Sequence, residues 1–374
     1  MTDASTKHDT DRSLLQAPLE AWLAERSPRA SDVRVDEIRT PNASGFSNDT
    51  VFFRARWREC GAPHEGRYVV RIEPRTAPVY PSQTAEPLPS VALQYRVMQG
   101  VARAGGVPIA PLVGYEASDS PLGGPFYVMG FVEGDVPKDN PLYTKEGFFV
   151  EAGPEQRHRL IDSGLAVLAR LHALDPERAG MNWLGVGGSP SLGRQLEIYG
   201  RYAHELLDGR THGILSHALA WLAREIPAEG AIVPSWGDAR IGNMIFRDFE
   251  CVAVNDWEAV ALGPAELDLG WWLMFDRFAH ESSGAPRREG EPTREEQRAL
   301  YERHTGRTMG DPFYYEVFAA ARFTTVMIRT CQRMTDAGLV PASMNMPIHN
   351  PATQVLAELL EIPYSWLAAA GAGS

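Results

Sequence analysis

Asp238, Asn243 and Asp256 are three oxygen-bearing side chains within one short stretch of this chain. The first two lie in Ser235-Trp236-Gly237-Asp238-Ala239-Arg240-Ile241-Gly242-Asn243, and the third opens Asp256-Trp257-Glu258. One carboxylate set apart from an Asn/Asp pair suits phosphoryl transfer. The lone carboxylate orients an attacking hydroxyl, and the pair offers hard oxygen ligands to magnesium. Each residue alone is a common turn former. Their joint spacing is the specific signal, because a strand pair fits between the second and the third.

The elements that must position them can be read outward from there. Trp-Gly-Asp and Ile-Gly-Asn each carry a Gly that permits tight backbone, so the first piece reads as a loop. Met244-Ile245-Phe246 reads as a short apolar strand, Arg247 to Glu250 as a turn, and Cys251 to Val254 as the returning strand. Such a hairpin carries Asp256 back beside Asn243.

This segment resembles the catalytic and metal loops of the aminoglycoside phosphotransferase and choline kinase-like family, a branch of the protein-kinase-like fold. The family string is His-Gly-Asp-x-x-x-x-Asn, then a strand and Asp-x-Glu or Asp-x-Asp. Here Trp236 replaces the His, and Trp-Gly-Asp-Ala-Arg is similar to a subgroup seen in mycobacteria. The resemblance runs from about Val33 to about Arg333 and is strongest between Pro234 and Trp272. It implies an α+β, two-lobed fold, with a small antiparallel-sheet N-lobe over 33–132 and a larger, mostly helical C-lobe over 133–374. Residues 1–32 are expected as a tail and a helix.

By the same resemblance, Asp238 is the catalytic carboxylate and Asn243 and Asp256 are the Mg²⁺ ligands. Ser47 and Asn48 fall in the family's phosphate-covering turn, Asn42 to Thr50, between two strand-like runs. Arg71 on the strand Tyr68 to Ile72 takes the place of the basic residue that faces the nucleotide phosphates, where a guanidinium is chemically competent. The family's helical Glu partner is matched by Gln94. Gly130 and Val132, at the end of the strand Phe126 to Gly134, are the backbone candidates for the adenine edge. Asp268 is expected to support the catalytic loop through backbone hydrogen bonds. Trp236 is expected to brace the metal loop by packing. ATP and Mg²⁺ are the implied cofactors, with ATP expected between the lobes. The implied acceptor is a hydroxyl of a small molecule: an aminoglycoside, choline-like alcohol, sugar, macrolide or hydroxyacyl thioester. A catalytically weak nucleotide-binding sensor or scaffold is the alternative.

The remaining sequence bounds these readings. A net charge of −12 disfavours nonspecific nucleic-acid binding, which needs a basic surface. The polar start and the lack of a long apolar run give an expectation of a cytoplasmic chain with no membrane partner. Cys60, Cys251 and Cys331 form no paired motif. His204, His212 and His217 fit no zinc spacing and read as surface histidines. Gly185 to Ser189 lacks the Lys-Ser/Thr of a P-loop and reads as a loop. No Gly-x-Ser-x-Gly elbow supports an acyl transferase. Helical spacing predicts helices over Ser13–Ala24, Ser90–Ala104 with Ser90 as N-cap, Pro154–Leu174, Leu192–Leu207, Gly213–Ile226, Glu266–Arg277 and Tyr314–Thr335. Pro74 to Pro89 and Ser282 to Thr293 read as loops, the second exposed. Oligomeric state is left open.

Overall fold

A computed structural model describes residues 13–40, 49–117, 121–185, 188–228 and 230–365. It divides into two compact units. The first comprises Met1–Pro78, Pro89–Arg96 and Ala110–Val132, and the second Val79–Leu88, Val97–Ile109 and Glu133–Ser374.

The first unit is built on an antiparallel sheet. Its elements are α1 (Ser13–Arg26), β1 (Ala30–Arg39), β2 (Asp49–Glu59), β3 (Ala62–Ile72), the start of α2 (Ser90–Ala104), β4 (Leu112–Glu116) and β5 (Phe126–Gly130). The strand order is β1-β2-β3-β5-β4. Along β2, Val51, Phe53 and Ala55 are buried while the intervening Phe52 and Arg54 are only half-buried, as alternation on a half-covered sheet requires. The buried face packs with Leu15, Leu19, Trp22 and Leu23 of α1 and with Val70, Phe126 and Val128. Leu14 falls off that stripe and is exposed. The first turn of α2 is capped differently from the expectation for Ser90. The Glu73 carboxylate accepts the N–H groups of Ser90 and Val91 at 3.0 and 2.9 Å. A charged acceptor outcompetes a hydroxyl at the positive end of a helix. The Ser90 hydroxyl instead accepts from Gln94 Nε2.

The second unit is mostly helical. It contains α3 (Phe148–Glu151), α4 (Pro154–His172), α5 (Leu192–Leu207), α6 (Gly213–Arg224), β6 (Ile232–Ser235), β7 (Met244–Arg247), β8 (Glu250–Val254), β9 (Ala261–Pro264), α7 (Glu266–Arg277), α8 (Arg294–Thr305), α9 (Phe313–Asp336) and α10 (Pro351–Leu359). Leu160, Ile161, Leu165, Leu168 and Leu171 of α4 are buried along one stripe. β6 pairs with β9, and β7 with β8. The β7–β8 turn puts Asp248 and Phe249 both at positive φ, +52° and +64°, the backbone of a tight two-residue hairpin. Among the described residues, no helix is long and apolar enough to cross a membrane.

Two sequence expectations differ from the structure here. His212 is buried, not at the surface: its Nδ1 accepts the Leu215 N–H at 3.3 Å, making it the N-cap of α6. Ser282 to Thr293 is not a free loop either. Ala285, Glu291 and Pro292 are buried. Arg287 and Gln297 hold Asp276, and Glu291 pairs with His280 at 2.6 Å. Its charged residues look solvent-directed in the sequence because their partners lie on other elements.

Candidate active site

β6 delivers the chain into Trp236-Gly237-Asp238, and a buried carboxylate at the start of α7 shapes that turn. Asp268 accepts the N–H of Trp236 at 2.6 Å, the N–H of Gly237 at 2.8 Å and the Ser235 hydroxyl at 2.9 Å. Its fourth contact is His172 Nε2 at 3.0 Å, and Tyr301 holds the other ring nitrogen at 2.6 Å. Burial would raise the Asp268 pKa. The hydrogen bonds from His172, Gly237 and Ser235 and the charge of His172 outweigh it, so the carboxyl stays below its ordinary value. Gly237 sits at φ +84°, and a Cβ there would lie 2.0 Å from the Ala259 carbonyl. No other residue fits this corner.

The corner projects Asp238, whose side chain is buried. Both hydrogen bonds to its carboxylate land on Oδ1: Arg240 Nε at 3.0 Å and Trp271 Nε1 at 2.8 Å. Oδ2 receives neither. Arg240 is fixed in turn by Asp139, with Nη1 2.6 Å from both carboxylate oxygens. Burial opposes the Arg240 charge, but Asp238 and Asp139 more than compensate and raise its pKa further. Arg322 of α9, also buried, donates to the Gly237 carbonyl at 2.8 Å and lies over the rings of Trp271 and Tyr199 at 4.7 and 4.9 Å. The Tyr80 phenol is pushed well up, first by burial and then by the charges of Asp238 and Glu258, so it remains a proton donor beside this loop.

Asn243 and Asp256 are brought together by the β7–β8 hairpin. Met244 pairs with Val254, and just beyond them the Asn255 N–H donates to the Asn243 carbonyl at 2.9 Å. Asn243 Nδ2 donates to the Asp238 carbonyl at 3.1 Å. That bond uses the amide nitrogen, so Oδ1 is the side chain's acceptor atom. Asp256, two residues past the end of β8, adopts φ +58°. An amide oxygen and a carboxylate are hard donors, and this set fits Mg²⁺. The bond from Asn243 to the Asp238 backbone ties the hairpin of the candidate ligand pair to the loop that carries Asp238. Trp236 braces the same hairpin by hydrogen bonding as well as packing: its Nε1 donates to the carbonyls of Asn255 and Asp256, each at 3.0 Å.

The nucleotide candidates belong to the first unit. Arg71 pairs with Thr50 on β2 and with Tyr127 on β5. Ser47 and Asn48 lie outside the described residues. The Gly130 N–H donates to the Pro111 carbonyl at 2.7 Å. Val132 follows the strand, half-buried. Between them Phe131 stacks under Arg67 at 3.9 Å and meets Phe52 edge-on at 5.8 Å, lining a cavity of about 120 Å³. Gln94 is buried and accepts from the Tyr127 hydroxyl.

Sequence reasoning missed Arg240, Trp271, Asp139, Arg322 and Tyr80. Arg240 stands inside the catalytic string and could have been weighed as a partner for Asp238. The others lie 33 to 158 positions from Asp238 in the chain, and nothing local marks them.

The profile of the phosphotransferase enzyme family matches residues 38–310. Among solved structures, a provisionally assigned aminoglycoside phosphotransferase of Ralstonia eutropha superposes with a TM-score of 0.66 at 24% identity, covering 92% of this chain and 98% of the other. A macrolide 2′-phosphotransferase of Brachybacterium faecium gives 0.51 at 18% identity, covering 92% and 99%. At such identities the likeness concerns the fold. Two curated relatives are acyl-CoA dehydrogenase family member 11 of Rattus norvegicus, 26% identical over 77% of this chain, and family member 10 of Mus musculus, 25% identical over 54%. The chain spans only 35% and 19% of those two proteins.

Proposed function

Because the chain belongs to the phosphotransferase enzyme family, with its protein-kinase-like α+β fold, we propose that it moves the γ-phosphoryl group of ATP to a hydroxyl of a small molecule in the cytoplasm. The observation that carries this reading is Asp238, a buried carboxylate held through Oδ1 alone. Arg240 and Trp271 keep it from rotating, and Oδ2 is left to take the proton of an acceptor hydroxyl. The acceptor oxygen forms its bond to the γ-phosphorus as the bridging P–O bond breaks. That electron pair leaves with ADP, and the proton goes to Asp238 Oδ2 late in a loose transition state. Asn243 and Asp256 would hold Mg²⁺, which supplies charge neutralisation on the phosphate oxygens. Ser47, Asn48 and Arg71 are the candidate phosphate partners, and the backbone of Gly130 and Val132 is the candidate contact for the base.

The test is an ADP-release screen with Mg²⁺ and ATP over a panel of hydroxyl compounds. The names of the similar proteins argue for including an aminoglycoside and a macrolide, and the sequence resemblance adds a hydroxyacyl thioester. Asp238→Asn is expected to retain nucleotide binding and to lower turnover by about two orders of magnitude. Asp256→Ala is expected to lose Mg²⁺-dependent nucleotide binding. Full turnover by both variants would overturn the reading. A nucleotide-binding sensor would instead show a Mg²⁺-dependent thermal shift with nucleotide and no ADP release on any acceptor. The oriented Asp238 favours turnover, since a binder has no use for a base.

A further inference from the structure

The second unit holds a cavity of about 400 Å³ that shares no lining residue with the catalytic loop or the metal hairpin. That volume is in the range of small-molecule sites. Its walls come from the end of α6 and the starts of α7 and α9. Two walls are aromatic. Trp221 meets Phe313 at 5.7 Å between ring centroids with the planes 84° apart, and meets Tyr314 at 5.8 Å with the planes 31° apart. The Tyr314 hydroxyl is engaged, donating to the Leu222 carbonyl at 3.0 Å.

The polar groups of the lining are all of one sign. Glu225, Glu266 and Asp311 line the cavity, and among the described residues no Lys or Arg does. Glu225 is compensated from outside by Arg224 at 2.8 Å, and Asp311 uses Oδ1 to accept the Phe313 N–H at 3.0 Å. Glu266 reaches the space because residue 230 has no side chain: a Cβ on Gly230 would sit 3.1 Å from Glu266 Oε2. An acidic space lined by aromatic rings disfavours anions and gives a neutral apolar guest no reason to accept the desolvation of the carboxylates. A cation with an apolar skin satisfies both, through the ring quadrupoles and the carboxylate charge.

We propose that this cavity binds an alkylammonium group, with the Trp221 and Phe313 rings as its faces and Glu266 and Asp311 as its counter-charges. The site is separate from the phosphotransfer reading and stands without it.

The test is titration of the full chain with tetramethylammonium chloride, read by tryptophan fluorescence and calorimetry, against tert-butanol as a neutral guest of similar shape and sodium chloride as an ionic-strength control. The cation is expected to bind saturably and the alcohol not to bind. Trp221→Leu keeps apolar volume without the ring and should weaken the cation about tenfold or more. Asp311→Asn keeps the capping oxygen without the charge and should weaken it several-fold. Circular dichroism and the unchanged melting of Asp311→Asn guard against loss of fold. Asp238→Asn should leave the binding unchanged, which excludes capture at the catalytic carboxylates. Equal binding of tert-butanol, undiminished affinity in both cavity variants, or no saturable binding would each overturn the proposal.

Discussion

At position 236 an indole stands where the resembled string has an imidazole, and its N–H donates to the carbonyls of Asn255 and Asp256, beside the candidate Mg²⁺ ligands. Trp236→Phe keeps an aromatic ring and deletes the donor. Leaving those carbonyls without it should cost about 1–3 kcal/mol in urea unfolding, and the Mg²⁺ needed for half-maximal ADP release should rise several-fold. An unchanged Mg²⁺ requirement would mean that packing alone holds the hairpin. Trp271 makes the complementary case at the carboxylate itself. Trp271→Phe removes one of the two bonds that fix Asp238 Oδ1. A hydrogen bond to a charged group is worth about 1.5–3 kcal/mol, so kcat should fall about tenfold or more with KM nearly constant. A change confined to KM would show that the indole meets the acceptor, not the base.

At the scale of elements, the helices and the hairpin were legible because their information is local. The apolar spacing of α4 and α5, the alternation in β2 and the strand-turn-strand of residues 244–254 all lie within a few residues of the features they set. The capping box that opens α8, Thr293 with Glu296, and the Asn350-Pro351 start of α10 were equally local and went unread. What could not be read is the pairing of polar groups across elements: Glu73 on α2, Arg287 on Asp276, Trp271 on Asp238. His212 shows the consequence. Burial drives its pKa down to about 4, with the nearby His349 adding to the effect, and its neutral Nδ1 caps α6. Between about pH 6.5 and pH 4 the unfolded chain therefore binds a proton that the folded chain does not, and this part of the stability is lost as pH falls through that window. The loss at pH 5 relative to pH 7 should be about 2 kcal/mol. His212→Asn, which keeps an acceptor for the Leu215 N–H, should flatten that part of the pH profile in urea unfolding. A slope equal to that of the parent chain would assign the pH dependence to other groups.

At the scale of the whole molecule, the second unit is not continuous in sequence. Val79–Leu88 and Val97–Ile109 belong to it although they lie before Glu133. Its interior depends on them. Gln83 and Gln195 exchange amide hydrogen bonds of 2.9 and 3.2 Å, and Gln83 also accepts the Gly185 N–H at 2.8 Å. The Tyr202 hydroxyl donates to the Val79 carbonyl, and Arg170 to that of Gly106. Most directly for the site, the Val254 N–H, two residues before Asp256, donates to the Pro108 carbonyl at 2.9 Å. A fragment comprising residues 133–374 keeps Asp238, Asn243 and Asp256 but loses each of these hydrogen bonds, those of the buried Gln195 and Val254 among them. At about 1–3 kcal/mol for each buried loss, it should melt at least about 10 °C below a 79–374 fragment, or show no cooperative transition. Thermal unfolding followed by circular dichroism separates the two. If both fragments melt cooperatively at one temperature, the early segments are a covering and not part of the unit that holds the metal hairpin.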